Sequence, residues 1–276
     1  MNVTAQNSVV RLLSPSDVDE GLVLTRAAGW NQLASDWQIL MTLSREGCFA
    51  LEFDGRLTAT TTVICYGREL AWIGMVLTAR EFRRRGFAEL LMRKALEFVQ
   101  GRGMATVKLD ATEAGIKIYR KLGFVEECAI ERWQRSPSSV DSAAVQLYVP
   151  DLEFDCRVFG ADRSALLSLL PTAGAASLSG QGYAMGRPGY LAAYFGPCVA
   201  RSADAAHTML RWFLAQHAHE NVFWDLLPDN SDAVCLAREF GFAPVRQLVR
   251  MRLSGQSASL PHSYKEQFAI SGFEFG

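Results

Sequence analysis

Four arginines, Arg80, Arg83, Arg84 and Arg85, crowd one glycine, Gly86, and one small residue, Ala88. Before them runs the apolar stretch Trp72-Ile73-Gly74-Met75-Val76-Leu77-Thr78, which reads as a buried strand. After them Leu91, Met92, Ala95, Leu96 and Val99 recur at helical spacing. A strand that delivers a turn into a helix start gathers unpaired backbone N–H groups and the positive end of the helix dipole at one place. Such a place binds anions. Gly86 lets backbone approach a ligand and Ala88 keeps the next contact small, so the N–H groups of Arg84 to Ala88, Phe87 included, can wrap a pyrophosphate as a nest. The bland alternative is a solvated basic turn opening a surface helix.

The pattern Arg83-x-x-Gly86-x-Ala88, after the strand Trp72 to Thr78 and before Tyr119-Arg120-Lys121-Leu122-Gly123-Phe124, resembles the acyl-CoA-binding signature of the GNAT N-acetyltransferase superfamily. The second small position of the turn is Ala88 rather than glycine. The resemblance covers about the first half of the chain. It implies that the pyrophosphate of acetyl-CoA, the acyl donor, sits on Arg83 to Ala88 and that the pantetheine arm pairs with Val76, Leu77 and Thr78. It also places a tyrosine, here Tyr119, near the thiol.

Acetyl transfer to an amine needs a neutral nucleophile, a stabilised tetrahedral oxyanion and a proton for the leaving thiolate. A backbone N–H near Val76 or Leu77 meets the second need, and Tyr119 as general acid meets the third. The base stays open between Asp110, Thr112, Glu113 and a water chain, since Glu113 also reads as an ordinary acid in a first helical turn. The acceptor is expected to be a small-molecule primary amine in a pocket between two domains. Trp30, Asn31 and Asp36 would meet it, offering aromatic surface and a carboxylate to an ammonium group. The other class of function is a non-catalytic acyl-CoA-binding sensor or assembly module.

Composition narrows the field. The chain has 276 residues and a formal net charge of -1, so it lacks the broad basic face of a general nucleic-acid binder. His207, His217, His219 and His262 show no metal-ligand spacing, and no metal is expected. Gly-x-Ser-x-Gly does not occur. The six cysteines lie far apart and read as buried free thiols of a cytoplasmic protein. Met1 to Ser8 is polar with no hydrophobic signal core, and no apolar run reaches membrane-spanning length.

The elements that must position these residues follow from periodicity. Val9 to Leu13 reads as a strand, and Ser14-Pro15-Ser16-Asp17 opens a helix to about Ala27. Trp30, Leu33, Ala34, Trp37, Leu40 and Met41 trace a helical stripe, with Asn31, Gln32, Ser35 and Asp36 on its polar side. Cys48 to Phe53, the turn Asp54-Gly55 and Leu57 to Cys65 predict a hairpin that continues into the central strand as an antiparallel meander. Thr106 to Ala111 predicts a parallel strand, Glu113 to Leu122 a short helix and Val125 to Trp133 a last strand.

The second half repeats the first: Gly241-Phe242 stands 118 residues after Gly123-Phe124. That offset puts Asp204 in place of Gly86 and Ala237 in place of Tyr119, so the second half is expected to carry no cofactor. Cys156 to Phe159 is expected as a strand, Ala161 to Leu170 as a helix, Tyr190 to Phe195 as the central strand, Ala203 to Ala218 as its helix, and Tyr264 to Ile270 as a closing strand. The fold class is α+β (mixed α/β), with an N-terminal GNAT domain over 1–135, a linker over 136–153 and a degenerate GNAT-like domain over 154–276.

Overall fold

A computed structural model describes residues 8–171, 174–254 and 264–276. The expectations for Met1 to Asn7 and for His262 lie outside the described residues. The chain divides into two compact units, Met1–Lys108 and Leu109–Gly276.

The first unit holds β1 (Ser8–Leu12), α1 (Val18–Ala27), α2 (Ala34–Ser44), β2 (Cys48–Phe53), β3 (Arg56–Tyr66), β4 (Leu70–Thr78) and α3 (Phe87–Gly101). Strand β5 (Thr106–Ala111) crosses the boundary between the units. β2 to β4 form the expected antiparallel meander, β1 pairs antiparallel with β2, and β5 runs parallel to β4. Helix α3 turns Phe87, Leu91, Met92, Ala95 and Val99 into the core and lies on β3 and β4. Four of the five residues that the spacing predicts, Leu91, Met92, Ala95 and Val99, are buried, while Leu96 is half-buried and Phe87 joins the stripe.

The helix expected from Trp30 starts later. Residues 30–33 are irregular and α2 begins at Ala34, because Asp36 accepts the Leu33 N–H at 2.7 Å and so fixes the first turn there. Asn31, Gln32 and Asp36 are buried instead of forming a solvated polar face.

The second unit holds α4 (Glu113–Lys121), β6 (Phe124–Arg135), β7 (Gln146–Leu147), α5 (Leu152–Phe159), α6 (Ser164–Leu169), β8 (Ala175–Leu178), β9 (Gly182–Arg187), β10 (Ala193–Ala200), α7 (Ala203–Gln216), β11 (Val222–Leu226), α8 (Ser231–Glu239), β12 (Ala243–Leu253) and β13 (Gln267–Ala269). β6 pairs antiparallel with β12 on one edge and β11 on the other. β10 runs parallel to β11 and antiparallel to β9, which pairs with β8.

The strand expected over Cys156 to Phe159 is instead part of α5, started by the Asp151 carboxylate accepting the Phe154 N–H. The helix expected over Ala161 to Leu170 is shorter, and the central strand runs later than Tyr190 to Phe195. All six cysteines are free; Cys48 and Cys198 are buried, while Cys235 is exposed rather than buried as expected. Among the described residues no helix is long and apolar enough to cross a membrane, and no group of His, Cys, Asp and Glu could hold a metal.

Candidate functional site

The site begins with a strained bulge in β4. Thr60 pairs with Leu77 and Thr62 with Gly74, so two residues of β4, Met75 and Val76, face one residue of β3. Met75 takes φ 49°, a left-handed conformation costly for a long side chain. The Thr60 hydroxyl donates to the Met75 carbonyl at 2.8 Å and holds it there. On the other edge of β4 the ladder with β5 covers only Leu70 to Trp72. Among the described residues Ile73 to Thr78 are therefore paired on the β3 side alone, and the backbone beyond the bulge presents an open edge. The Thr78 hydroxyl is buried without a hydrogen-bond partner among the described residues. Val76 and Thr78 are half-buried, and Leu77 is buried.

The basic turn follows. A 3-10 turn over Arg80–Phe82 leads to Arg84 at φ 63° and Gly86 at φ 86°, and Gly86 opens α3 without any side-chain cap. A Cβ built at Gly86 would meet nothing within 4 Å, so the left-handed backbone and not crowding calls for glycine. The first N–H groups of a 15-residue helix are thus left without a side-chain cap. Arg83, Arg84, Arg85 and Gly86 are exposed.

The arginines differ in what they do. Arg83 Nε donates to the Thr78 carbonyl at 3.3 Å, tying the turn to the strand end. Arg85 lies 5.0 Å from the Phe82 ring centre and 5.8 Å from that of Phe53. Arg80 donates to the Ala27 carbonyl at 2.7 Å, which brings the loop carrying Trp30 beside the turn. Arg84 makes no hydrogen bond among the described residues. Phe87 points inward, its ring packed on Phe53 and Phe82, so it offers only backbone to a ligand. Ala88 is half-buried behind it.

Trp30, Asn31 and Asp36 lie in the same unit as the turn. Trp30 is half-exposed. Asp36 is 3 % exposed and bonded to the Leu33 N–H, so its carboxylate shapes the loop.

Tyr119 lies in the second unit, on α4. Its ring meets Phe124 edge-on at 6.1 Å, and a Cβ at Gly115 would come within 2.6 Å of it. The glycine one turn earlier is what lets the ring lie flat on its own helix. Burial pushes the phenol above its usual range, so Tyr119 stays protonated at neutral pH. Its hydroxyl makes no hydrogen bond among the described residues and is free to donate.

Of the three side chains considered as base, Asp110 is committed elsewhere. Arg250 grips it through Nε at 2.9 Å and a terminal nitrogen at 3.1 Å, with both side chains nearly inaccessible. Thr112 stands at the N-cap position of α4, where its side chain makes no capping hydrogen bond, and Glu113 is exposed on the first turn. The Met75 bulge, its Thr60 clasp and the Arg250 partner had no sequence signal. Backbone strain leaves no residue pattern, and Arg250 lies 140 residues from Asp110.

Residues 18–124 match the family model described as the acetyltransferase (GNAT) family, and residues 152–269 match one described as an acetyltransferase (GNAT) domain. An uncharacterized N-acetyltransferase of Methanocaldococcus jannaschii is 29 % identical over 115 residues, covering 38 % of this chain. The chain spans 50 % of that relative's length. Among solved structures, a candidate acetyltransferase of Pyrococcus horikoshii superposes with a TM-score of 0.85 at 24 % identity, covering 98 % of this chain and 96 % of that one. A GCN5-related N-acetyltransferase of Sphaerobacter thermophilus gives 0.67 at 16 % identity, with 94 % and 99 % covered. A tandem GNAT protein from the clavulanic acid biosynthesis pathway gives 0.61 at 15 %, with 91 % and 100 % covered. At these identities the likeness of structure is one of fold. With two GNAT models matching in succession, the chain belongs to the GNAT acetyltransferase family as a tandem protein.

Proposed function

We propose that the chain is an acetyl-CoA-dependent N-acetyltransferase that acylates a primary amine of a small molecule. The observation that carries this is the uncapped α3 start at Gly86, set directly after a bulged strand with one open edge. Acetyl-CoA supplies the acyl group as a thioester. The residues fit it: the N–H groups of Arg84 to Ala88 and the side chains of Arg83, Arg84 and Arg85 hold the pyrophosphate, while the open backbone of Val76, Leu77 and Thr78 takes the pantetheine arm. The N–H groups at the bulge are the donors for the developing oxyanion.

Tyr119 gives its hydroxyl proton to the departing thiolate, a role suited to a phenol kept protonated by burial. Deprotonation of the amine falls to Glu113 or a water chain, along which the Thr112 hydroxyl can relay the proton, rather than to Asp110, whose ion pair with Arg250 would have to break first. Trp30 offers its ring to the acceptor's ammonium, and Asn31 and Asp36 act by holding the loop that carries it. Thiol release with a panel of amines separates this reading from a binding module.

The direct test is Gly86→Asp. A carboxylate at phosphate contact repels it by about 4 kcal/mol at a near-surface dielectric, roughly a thousandfold in affinity. Titration calorimetry should show acetyl-CoA binding lost in a folded variant; unchanged affinity overturns the proposal.

A further inference from the structure

Strand β10 carries the same interruption as β4. Its register against β9 shifts between Phe195 and Cys198, as that of β4 shifts against β3. Its parallel ladder with β11 stops at Phe195 opposite Trp224, as that of β4 with β5 stops at Trp72 opposite Lys108. Physics then leaves β10 the same open backbone edge beyond its bulge, and an unpaired edge is a template for another strand. In β10 that edge is taken.

The occupant is the segment Lys265–Ile270. β13 pairs Cys198 with Ala269 and Val199 with Gln267, and the Ala200 N–H donates to the Glu266 carbonyl at 3.0 Å. From β11, the Trp224 indole N–H donates to the Phe268 carbonyl at 2.8 Å, and the Ile270 N–H donates to the Asp225 carbonyl at 3.1 Å. Asn230 at the start of α8 donates to the carbonyls of Lys265 and Gln267 at 3.1 Å each, and the Tyr194 hydroxyl to that of Ile270. Gln267, Phe268, Ala269 and Ile270 are buried.

The groove is cut to this backbone. Gly196, in the bulge at φ 146°, leaves room for the Ile270 carbonyl, which a Cβ there would meet at 2.2 Å. The helix that follows is closed as well. Ser202 caps α7 by accepting the Ala205 N–H, where α3 has no cap. Arg201 is bound to the Gly180 carbonyl and to Asp151 and lies over the Phe154 ring.

We propose that Lys265–Ile270 is the resident occupant of the β10 groove, an extended peptide held in cis where β4 leaves its edge open. The second repeat then serves as a peptide-binding groove for its own chain and offers no place to an acyl-CoA. The sealing stands on contacts within the second unit; only the occupancy of the β4 groove by acyl-CoA rests on the proposed function.

Hydrogen–deuterium exchange on the full chain, with and without acetyl-CoA, tests it. Amides of 266–270 and of Cys198 to Ala200 should exchange about a hundredfold or more slower than in an unfolded chain, with no change on adding acetyl-CoA. Amides of β4 beyond Met75 that point away from β3 should slow only when acetyl-CoA is added. Gly196→Val should release 266–270 to fast exchange. Trp224→Phe, a milder change, should speed it about threefold to tenfold by removing one hydrogen bond. Fast exchange of 266–270 in the unaltered protein, slowing of β10 by acetyl-CoA, or no effect of Trp224→Phe overturns the inference. Failure of acetyl-CoA to slow β4, with 266–270 protected throughout, sinks the proposed function and leaves the sealed groove standing.

Discussion

At the scale of single residues, Tyr119 carries the sharpest expectation. Its place five residues before Phe124 made it visible in the sequence, and its ring is buried with a hydroxyl that makes no hydrogen bond among the described residues. Tyr119→Phe keeps the ring against Gly115 and Phe124 and removes only the hydroxyl that donates the proton. Turnover should fall about a hundredfold or more while acetyl-CoA affinity holds. Because burial raises the phenol above its ordinary value of about 10, the wild-type rate should show no fall from this group at any pH below 10. A pH–rate profile of the variant that matches wild type throughout would remove Tyr119 from the chemistry. Other residues were less legible. Asp36 looked like an exposed carboxylate because Trp30 and Leu33 happen to continue the helical spacing of α2. Asp110 looked like a base because nothing near it in sequence announces Arg250.

Among the elements, β4 shows how much local pattern can and cannot give. The alternation that predicts the meander is strong, and all of its strands form where expected, within a residue or two. The bulge that makes β4 useful is invisible, since it depends on the register with β3. Thr60 is its clasp, and Thr60→Val leaves the Met75 carbonyl without its buried donor at a cost of about 1–3 kcal/mol. Thermal unfolding should move down, and acetyl transfer should weaken beyond what stability explains, with Thr60→Ser restoring both. Full activity in Thr60→Val would show that the bulge holds its shape without the hydroxyl. Short apolar runs were the other weak point. Cys156 to Phe159 suits a strand or a helix equally, and the Asp151 cap decided for the helix. The β8–β9 hairpin, rich in glycine and small residues, had no periodicity to read.

For the molecule as a whole, the repeat was plain in the sequence but the exchange of strands was not. In the pairing of β6 with β12, Ile130 faces Leu248, the residue 118 positions later, which is also the offset from Gly123 to Gly241. Equivalent residues that face each other define a local two-fold between the strands. The ion pairs obey it. Arg132 grips Asp225 as Arg250 grips Asp110, and the arginines are again 118 apart; the aspartates differ by 115 because three extra residues separate β11 from α8. Strand β6 thus takes both neighbours from the second repeat, while β11 is the repeat equivalent of β5. A fragment ending at Arg135 would lose both and expose two strand edges on β6. It carries its own replacements, since a second copy offers β6 in place of β12 and β5 in place of β11. Residues 1–135 alone should therefore form a two-fold dimer through antiparallel β6 strands crossing at Ile130, seen by sedimentation, and Ile130→Lys should break it. A folded monomer with protected β6 amides would refute this.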